Sequence, residues 1–122
     1  MLRHAAAWAL EALADAVTGE GGTGPLRHVL EHLRQNRCAA RGRLAGERVC
    51  RWLAEVIEVR LATTCAQGAT TIIPVRIAAT QIATAQLALI RAWLSGRDPC
   101  PTDAIVDALA RTSRAMATAV LP

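Results

Sequence analysis

The chain has 122 residues, of which 52% are hydrophobic and 20% charged, and this balance excludes a disordered tail. A single domain over residues 1–122 is expected, because a chain of this length can bury a sizeable core without disulfide bonds. Every basic residue is an arginine and the net charge is only +4, so charge alone identifies no partner.

Helical periodicity runs along the chain and no strand pattern appears, which predicts an all-α bundle of five to six helices. The main predicted helices lie at about residues 2–17, 25–36, 47–64, 73–95 and from 101 onward, with a short arginine-rich helix after the second. Prolines and glycines mark the boundaries. Pro25 opens the second helix, Gly96 follows the long fifth one, and Pro101 is expected at the first position of the last, with Cys100 as its cap.

The second helix contains "RHVLEHL", in which His28, Glu31 and His32 form a zinc-peptidase string. On a helix the two histidines could share a metal ion and Glu31 could activate water. Because no second motif supplies a third ligand, we interpret the string as an ordinary helix face and expect no metal, no cofactor and no catalysis. Paired carboxylates such as Glu11 and Asp15 are likewise interpreted as solvated helix faces.

An arginine-rich segment follows, whose only acid is Glu47 and whose arginines are Arg34, Arg37, Arg41, Arg43, Arg48 and Arg51. It could face a phosphate backbone or an anionic ligand. Without interleaved aromatic residues, a solvated turn between helices is the favoured interpretation. Glu47 and Arg51, one helical turn apart, are expected to form an exposed ion pair.

The fifth predicted helix is apolar or small on nearly all sides, so we expect it to be covered on both sides. Its polar residues Arg76, Gln81, Gln86 and Arg91 argue against a membrane span. The cysteines show no C-x-x-C spacing, and acidic residues interrupt the apolar N-terminal stretch that would otherwise look like a signal peptide. Free thiols and a cytoplasmic location are therefore expected.

The last helix carries two adjacent apolar rows. The bulky row is Ile105, Leu109, Met116 and Val120, and the row of methyl groups is Ala104, Ala108, Ala115 and Ala119. Surplus apolar surface on the last two long helices predicts a homodimer joined by a two-fold four-helix bundle. The predicted interface residues are Ala78, Ala85, Ala92, Ala104, Ala108, Arg111, Ala115 and Ala119.

Three stretches resemble the C-terminal half of a TetR-family transcriptional regulator: "PLRHVLEHLRQNRCAARGRLAG", "RIAATQIATAQLALIRAWLSGRDPCP" and "PTDAIVDALARTSRAMATAVLP". The second is the most specific, because a long helix ending in Trp93-Leu94, a Gly turn and a Pro-started final helix form the usual ending of that family. Residues 2–17 would correspond to the helix that links the DNA reader to the sensor domain. The N-terminal helix-turn-helix of the family has no counterpart here, so the chain by itself is not expected to bind an operator.

The resemblance implies a ligand-sensing and dimerisation domain without catalysis, whose last two helices form the dimer bundle. Its effector cavity would lie among the first, second, fourth and fifth helices and would take a small, mostly apolar molecule. DNA would be contacted only through the missing module. The residues expected to line the cavity are Trp8, His32, Trp52, Val56, Gln81 and Thr84.

Two alternatives stay open. A small helical enzyme of the mutase or lyase type could clamp an anionic substrate with Arg60, Arg76 and Arg111, if these arginines lie inside the bundle. A plain helical interaction module would have no cavity. A polar pocket with converging arginines would favour the enzyme, whereas an apolar pocket would favour the sensor.

Overall fold

A computed structural model describes the backbone of residues 2–66 and 71–121 and the side chains of residues 7–65 and 71–121. This part of the chain contains six helices and no strand: α1 (Leu2–Thr18), α2 (Gly24–Gln35), α3 (Arg37–Leu44), α4 (Glu47–Ala66), α5 (Val75–Leu94) and α6 (Thr102–Val120). The predicted all-α class with five to six helices is confirmed. The turn between α4 and α5 falls mostly outside the described residues.

Four of the helices form a ring around the core. α4 packs against α1 and α5, and α6 packs against α5 and α1, with the α4–α5 contact the most extensive. α2 covers the groove between α1 and α6, while α3 bridges α2, α4 and α5. The two short helices therefore close the bundle, and the four long ones supply its core.

Aliphatic side chains fill the interior of this ring. Leu53, Ile57, Ile82, Leu87 and Ile90 are fully buried, each contributing about 1.5–3 kcal/mol by leaving water. The fully buried alanines of α5 allow its neighbours to approach closely, as the alanine-rich composition predicts; they are Ala78, Ala79 and Ala83.

One polar side chain crosses the core. Gln86 of α5 is 1% exposed, and its Nε2 donates to Leu13 O of α1 and to Ser113 Oγ of α6, both at 2.9 Å. These bonds tie three helices together at one point. The other amide atom, Gln86 Oε1, is buried without a hydrogen-bond partner among the described residues.

Prolines precede both long C-terminal helices. Pro101 has φ −63° and ψ 148°, which is extended backbone, so it is the N-cap of α6 and Thr102 is the first helical residue. The expected cap at Cys100 is wrong by one position, because the proline ring restricts φ but leaves ψ free to be extended. Pro74 has the same role before α5.

α5 ends just before a glycine, as predicted. Gly96 has φ +73°, a left-handed conformation that favours glycine. Arg37 of α3 donates to Leu94 O and, at 2.7 Å, to Ser95 O, carbonyl groups left without partners where a helix ends. A Cβ atom at Gly96 would collide with the Arg37 guanidinium. The backbone and its neighbour therefore both require glycine here.

Candidate dimerisation face and effector site

The bulky row of α6 packs inside the protomer. Leu109 and Val120 are buried, and Ile105 and Met116 are half-buried against the core. The alanine row, by contrast, points outward: Ala104, Ala115 and Ala119 are exposed and Ala108 is half-buried. The apolar side chains that α6 exposes to solvent are therefore the methyl groups of these alanines.

Contacts on the other side of α6 show which neighbour the alanine row adjoins. Arg114 Nη1 donates to Val17 O at 3.5 Å, so that side of the helix lies against α1. At helical spacing the alanines lie between about a quarter and somewhat more than a third of a turn round α6 from Arg114, so they face outward and are nearer α5 than α1.

The corresponding residues of α5 lie on the side of that helix that is turned away from α4. Thr84 Oγ1 lies 3.5 Å from Cys50 Sγ, so its side of α5 faces α4. Ala85, Ala88 and Ala92 occupy the side nearer α6, half-buried in the first case and exposed in the other two. Ala78, predicted at the interface, is 0% exposed inside the protomer and cannot contact a partner. Ala88, which the sequence-based selection missed, belongs to this surface instead.

We call this surface the α5–α6 face; it consists of Gln81, Ala85, Ala88 and Ala92 of α5 and Ala104, Ala108, Arg111, Ala115 and Ala119 of α6. Its one charged side chain, Arg111, is paired with Asp107 one turn away, at 3.1 Å. Ile77, one turn before Gln81, is 56% exposed. Two adjoining helices thus present a nearly neutral surface of small side chains.

Within the single chain α5 is covered on one side only, so the cover expected on its outer side stays a prediction. Half of its apolar window is buried, and its outer side is exposed. By length and composition it is the one described helix that could cross a membrane, a criterion that a helix in the core of a domain also meets.

Among the predicted effector residues, Trp8 and His32 contact each other. The Trp8 ring lies 5.3 Å from the His28 ring and 5.7 Å from the His32 ring, measured between centroids. The two histidines of the zinc-like string therefore pack beside one indole. The described side chains include no group of three His, Cys, Asp or Glu residues positioned to hold a metal ion.

The other predicted effector residues lie elsewhere. Trp52 and Val56 are half-buried on α4 against the core, whereas Gln81 and Thr84 are on the exposed side of α5. An open depression of about 530 Å³ contains none of the six. It is lined by Arg34, Arg37, Trp93, Leu94, Gly96, Pro99, Cys100 and Pro101. A smaller one, of about 300 Å³, is lined by Glu31, Arg34 and Gln35.

Arg60 is the centre of an ion-pair cluster. It bonds to Glu11 and Asp15 of α1, and its Nη1 lies 3.3 Å from Glu20 Oε2. The hydrogen bond with Asp15 raises the pKa of Arg60, and Glu11 adds to the effect against the opposing influence of burial. The interpretation of Glu11 and Asp15 as merely solvated is wrong, because they join α1 to α4.

The arginines that the enzyme alternative requires do not lie inside the bundle. The side chains of Arg76 and Arg111 are 85% and 80% exposed, and each lies near a carboxylate, Glu58 and Asp107 respectively. Arg60 is already occupied by three acids. The geometry required for an arginine clamp on an anionic substrate is thus missing.

Comparisons with protein-family models, with curated proteins and with solved structures gave no match to this chain. The TetR resemblance therefore rests on the sequence pattern, and the all-helical fold rests on the structure itself. The structural features on which a proposal of function can rest are the α5–α6 face, the contact of Trp8 with His28 and His32, and the buried amide of Gln86.

Proposed function

We propose that this chain is the effector-binding and dimerisation domain of a TetR-like transcriptional regulator, that two copies associate through the α5–α6 face, and that it has no catalytic role. The observation that carries the proposal is the exposed alanine surface shared by α5 and α6. In an intact regulator, effector binding would change the spacing of two DNA readers, a coupling between separate sites.

Small side chains favour this surface as a helix–helix contact, because they let two backbones approach closely. α5 and α6 have 20 and 19 residues. Each is thus about 30 Å long, and side by side they present a surface of roughly 600 Å². That is comparable to the roughly 800 Å² per partner of a stable interface. A two-fold axis would bring the alanines of both copies together and cover Ile77.

Sedimentation of the chain at micromolar concentration tests the dimer. We expect twice the 13.0 kDa chain mass. Ala108→Arg or Ala115→Arg should give monomers, because a buried guanidinium without a partner strongly disfavours association. Ala62→Arg, the same change at an exposed position of α4, is the matched control and should leave the dimer intact. A native chain that sediments as a monomer would remove the dimer, and a dimeric Ala108→Arg variant would move the interface elsewhere.

Two features of α1 and the helices packed against it support an effector. Trp8 is an indole that is 38% exposed beside two imidazole rings. Gln86 Oε1 is a buried acceptor that a ligand could satisfy. The effector class that fits both is a planar, mostly apolar molecule with one hydrogen-bond donor.

A pair of probes tests the effector class. The melting temperature is measured with 2-naphthol, which has a donor, and with 2-methoxynaphthalene, which has none. A ligand that binds the folded state raises the melting temperature, and we expect the larger rise with 2-naphthol. Gln86→Leu should abolish the difference between the probes. Equal shifts with both compounds in the native chain would contradict the assignment of Gln86.

A further inference from the structure

Arginines accumulate at one end of the bundle, which we call the arginine-rich end; its members are Arg34, Arg37, Arg41, Arg43, Arg48, Arg51, Arg91 and Arg97. All eight side chains are exposed. The segments that carry them, residues 34–51 and 91–98, contain two acids, Glu47 and Asp98. This end therefore has an excess of positive charge, although the chain as a whole is only mildly basic.

The fold brings these segments together through arginine contacts with other helices. Arg37 of α3 bonds to the C-terminus of α5, and Arg91 Nη1 of α5 donates to Leu44 O at the end of α3, at 3.3 Å. Arg34 of α2 donates to Thr102 Oγ1 of α6 at 3.2 Å. α4 begins three residues after α3 ends. The arginines of α2, α3, α4 and α5 thus lie at the same end of the bundle.

The side chains of five of these arginines have no hydrogen bond or ion pair among the described residues: Arg41, Arg43, Arg48, Arg51 and Arg97. The predicted Glu47–Arg51 pair does not form. Elsewhere in the described chain the pattern differs, because Arg27, Arg60, Arg76 and Arg111 each lie within 3.5 Å of a carboxylate. Among the arginines whose side chains the structure describes, those without a carboxylate partner are the ones at the arginine-rich end and Arg114, which bonds to a carbonyl group instead.

Fold stability does not account for the five unpaired arginines. Arg48 lies in the first turn of α4, where the helix dipole disfavours a cation. Like charges on neighbouring turns repel one another and oppose the compact state. Their charge therefore remains available to an anion outside the protein.

We propose that the arginine-rich end binds the phosphate backbone of double-stranded DNA without reading its sequence. Arginine matches phosphate through two parallel N–H donors. A lipid surface is disfavoured because three of the four exposed large apolar side chains, Val59, Ile72 and Ile77, lie towards the other end of the bundle, and the fourth, Trp8, packs against His28 and His32. Single strands are disfavoured as well, since Trp93 is half-buried with its Nε1 donating to Cys100 O and offers no stacking platform.

This contact goes beyond the proposed function, because it needs neither an effector nor a helix-turn-helix. Phosphate contacts position a protein on DNA, while base contacts specify the site. In a regulator, such a surface would add affinity that is independent of sequence. It therefore leaves intact the expectation that this chain alone selects no operator.

The test measures anisotropy of a fluorescein-labelled random 24-base-pair duplex, titrated with the full chain at several KCl concentrations. Five phosphate contacts predict that log Kd rises with log[KCl] with a slope of about 4.5. Arg48→Ala should lower this slope by about 1, and the triple variant Arg41→Ala/Arg43→Ala/Arg48→Ala by about 3. Arg76→Ala, which removes an exposed but paired arginine of α5, is the control and should leave the slope unchanged.

No duplex binding at about 25 mM KCl would overturn the proposal, as would an equal loss of slope in Arg76→Ala, since both contradict a local phosphate-binding surface. Stronger binding to vesicles containing phosphatidylserine than to the duplex would also overturn it. Sedimentation in the same buffer distinguishes a failure of the DNA contact from a failure of the dimer. A dimer that fails to bind DNA refutes only the DNA contact, and a monomer that binds refutes only the dimer.

Discussion

Arg60 and Arg48 lie near opposite ends of the same helix, α4, and their surroundings differ sharply. Arg60 contacts three carboxylates from α1 and the turn after it, and its side chain is 23% exposed. Arg48 is exposed, with no partner among the described residues. An identical side chain thus joins helices at one end of α4 and remains available to a partner at the other.

The difference shows that the neighbours of an arginine decide its role. A guanidinium satisfied by several acids acts within the fold, because its charge and donors are already used. A cluster of eight arginines with only two acids repels itself and is stabilised by an external anion. The two ends should therefore respond in opposite ways to mutation and to salt.

Replacing Arg60 should have the largest effect. Arg60→Met leaves Glu11, Asp15 and Glu20 close together without a cation, and we expect the free energy of unfolding to fall by about 2 kcal/mol. Urea denaturation measures this change. Arg48→Met, the same substitution on the same helix, is the control and should change stability by less than about 0.5 kcal/mol. Equal effects would contradict the contrast between the two ends.

The pH dependence of the Arg60 contribution follows from its raised pKa. A group whose pKa is raised on folding contributes its full stabilisation below its unfolded pKa and loses it only as the pH rises through the folded value. Both values lie far above neutrality for arginine. The stability difference between Arg60→Met and the native chain should therefore be the same at pH 7 and pH 9, and a difference that shrinks at pH 9 would contradict this assignment.

Gly96→Ala is expected to have the next largest effect. Alanine at φ +73° is strained by about 1–2 kcal/mol, and its methyl group would displace Arg37 from the end of α5. Thermal unfolding followed by circular dichroism should show a lower melting temperature. An unchanged melting temperature would mean that the Arg37 contact with α5 does not hold the two helices together.

Gly42→Ala should act in the opposite direction at the same end of the molecule. Gly42 is helical in α3, and a Cβ atom there would meet nothing within 4 Å. Alanine therefore fits without strain and should stabilise the chain by about 0.5–1 kcal/mol. The same thermal experiment measures it. Loss of stability would show that α3 is not a helix in solution.

The smallest effect is expected at Arg48. Arg48→Gln removes one repulsive charge from the first turn of α4 and should stabilise the chain by a few tenths of a kcal/mol at low salt. The gain should disappear near 1 M KCl, where the Debye length is about 3 Å. A destabilised Arg48→Gln variant would reveal a partner within the fold.

Helix number and approximate bounds could be read from the sequence, because burial of one face imposes a 3.6-residue period. The alignment of the alanines of α6 along one side of the helix was likewise predictable, from their spacing in the sequence. Ala78 was misassigned to the interface because a methyl group in an alanine-rich helix has the same hydrophobicity whether it packs inside or outside. Its burial depends on which neighbouring helices cover that turn of α5, and periodicity does not encode this.

The sequence by itself thus determined an all-helical chain, the turns at its prolines and glycines, and an unusual density of arginines after the second helix. Only the tertiary structure decided which arginines meet acids. Glu11 and Asp15 lie far from Arg60 along the chain, so their pairing depends on the packing of α1 against α4. Local patterns arise from neighbours in sequence, whereas charge compensation arises between helices that only folding brings together.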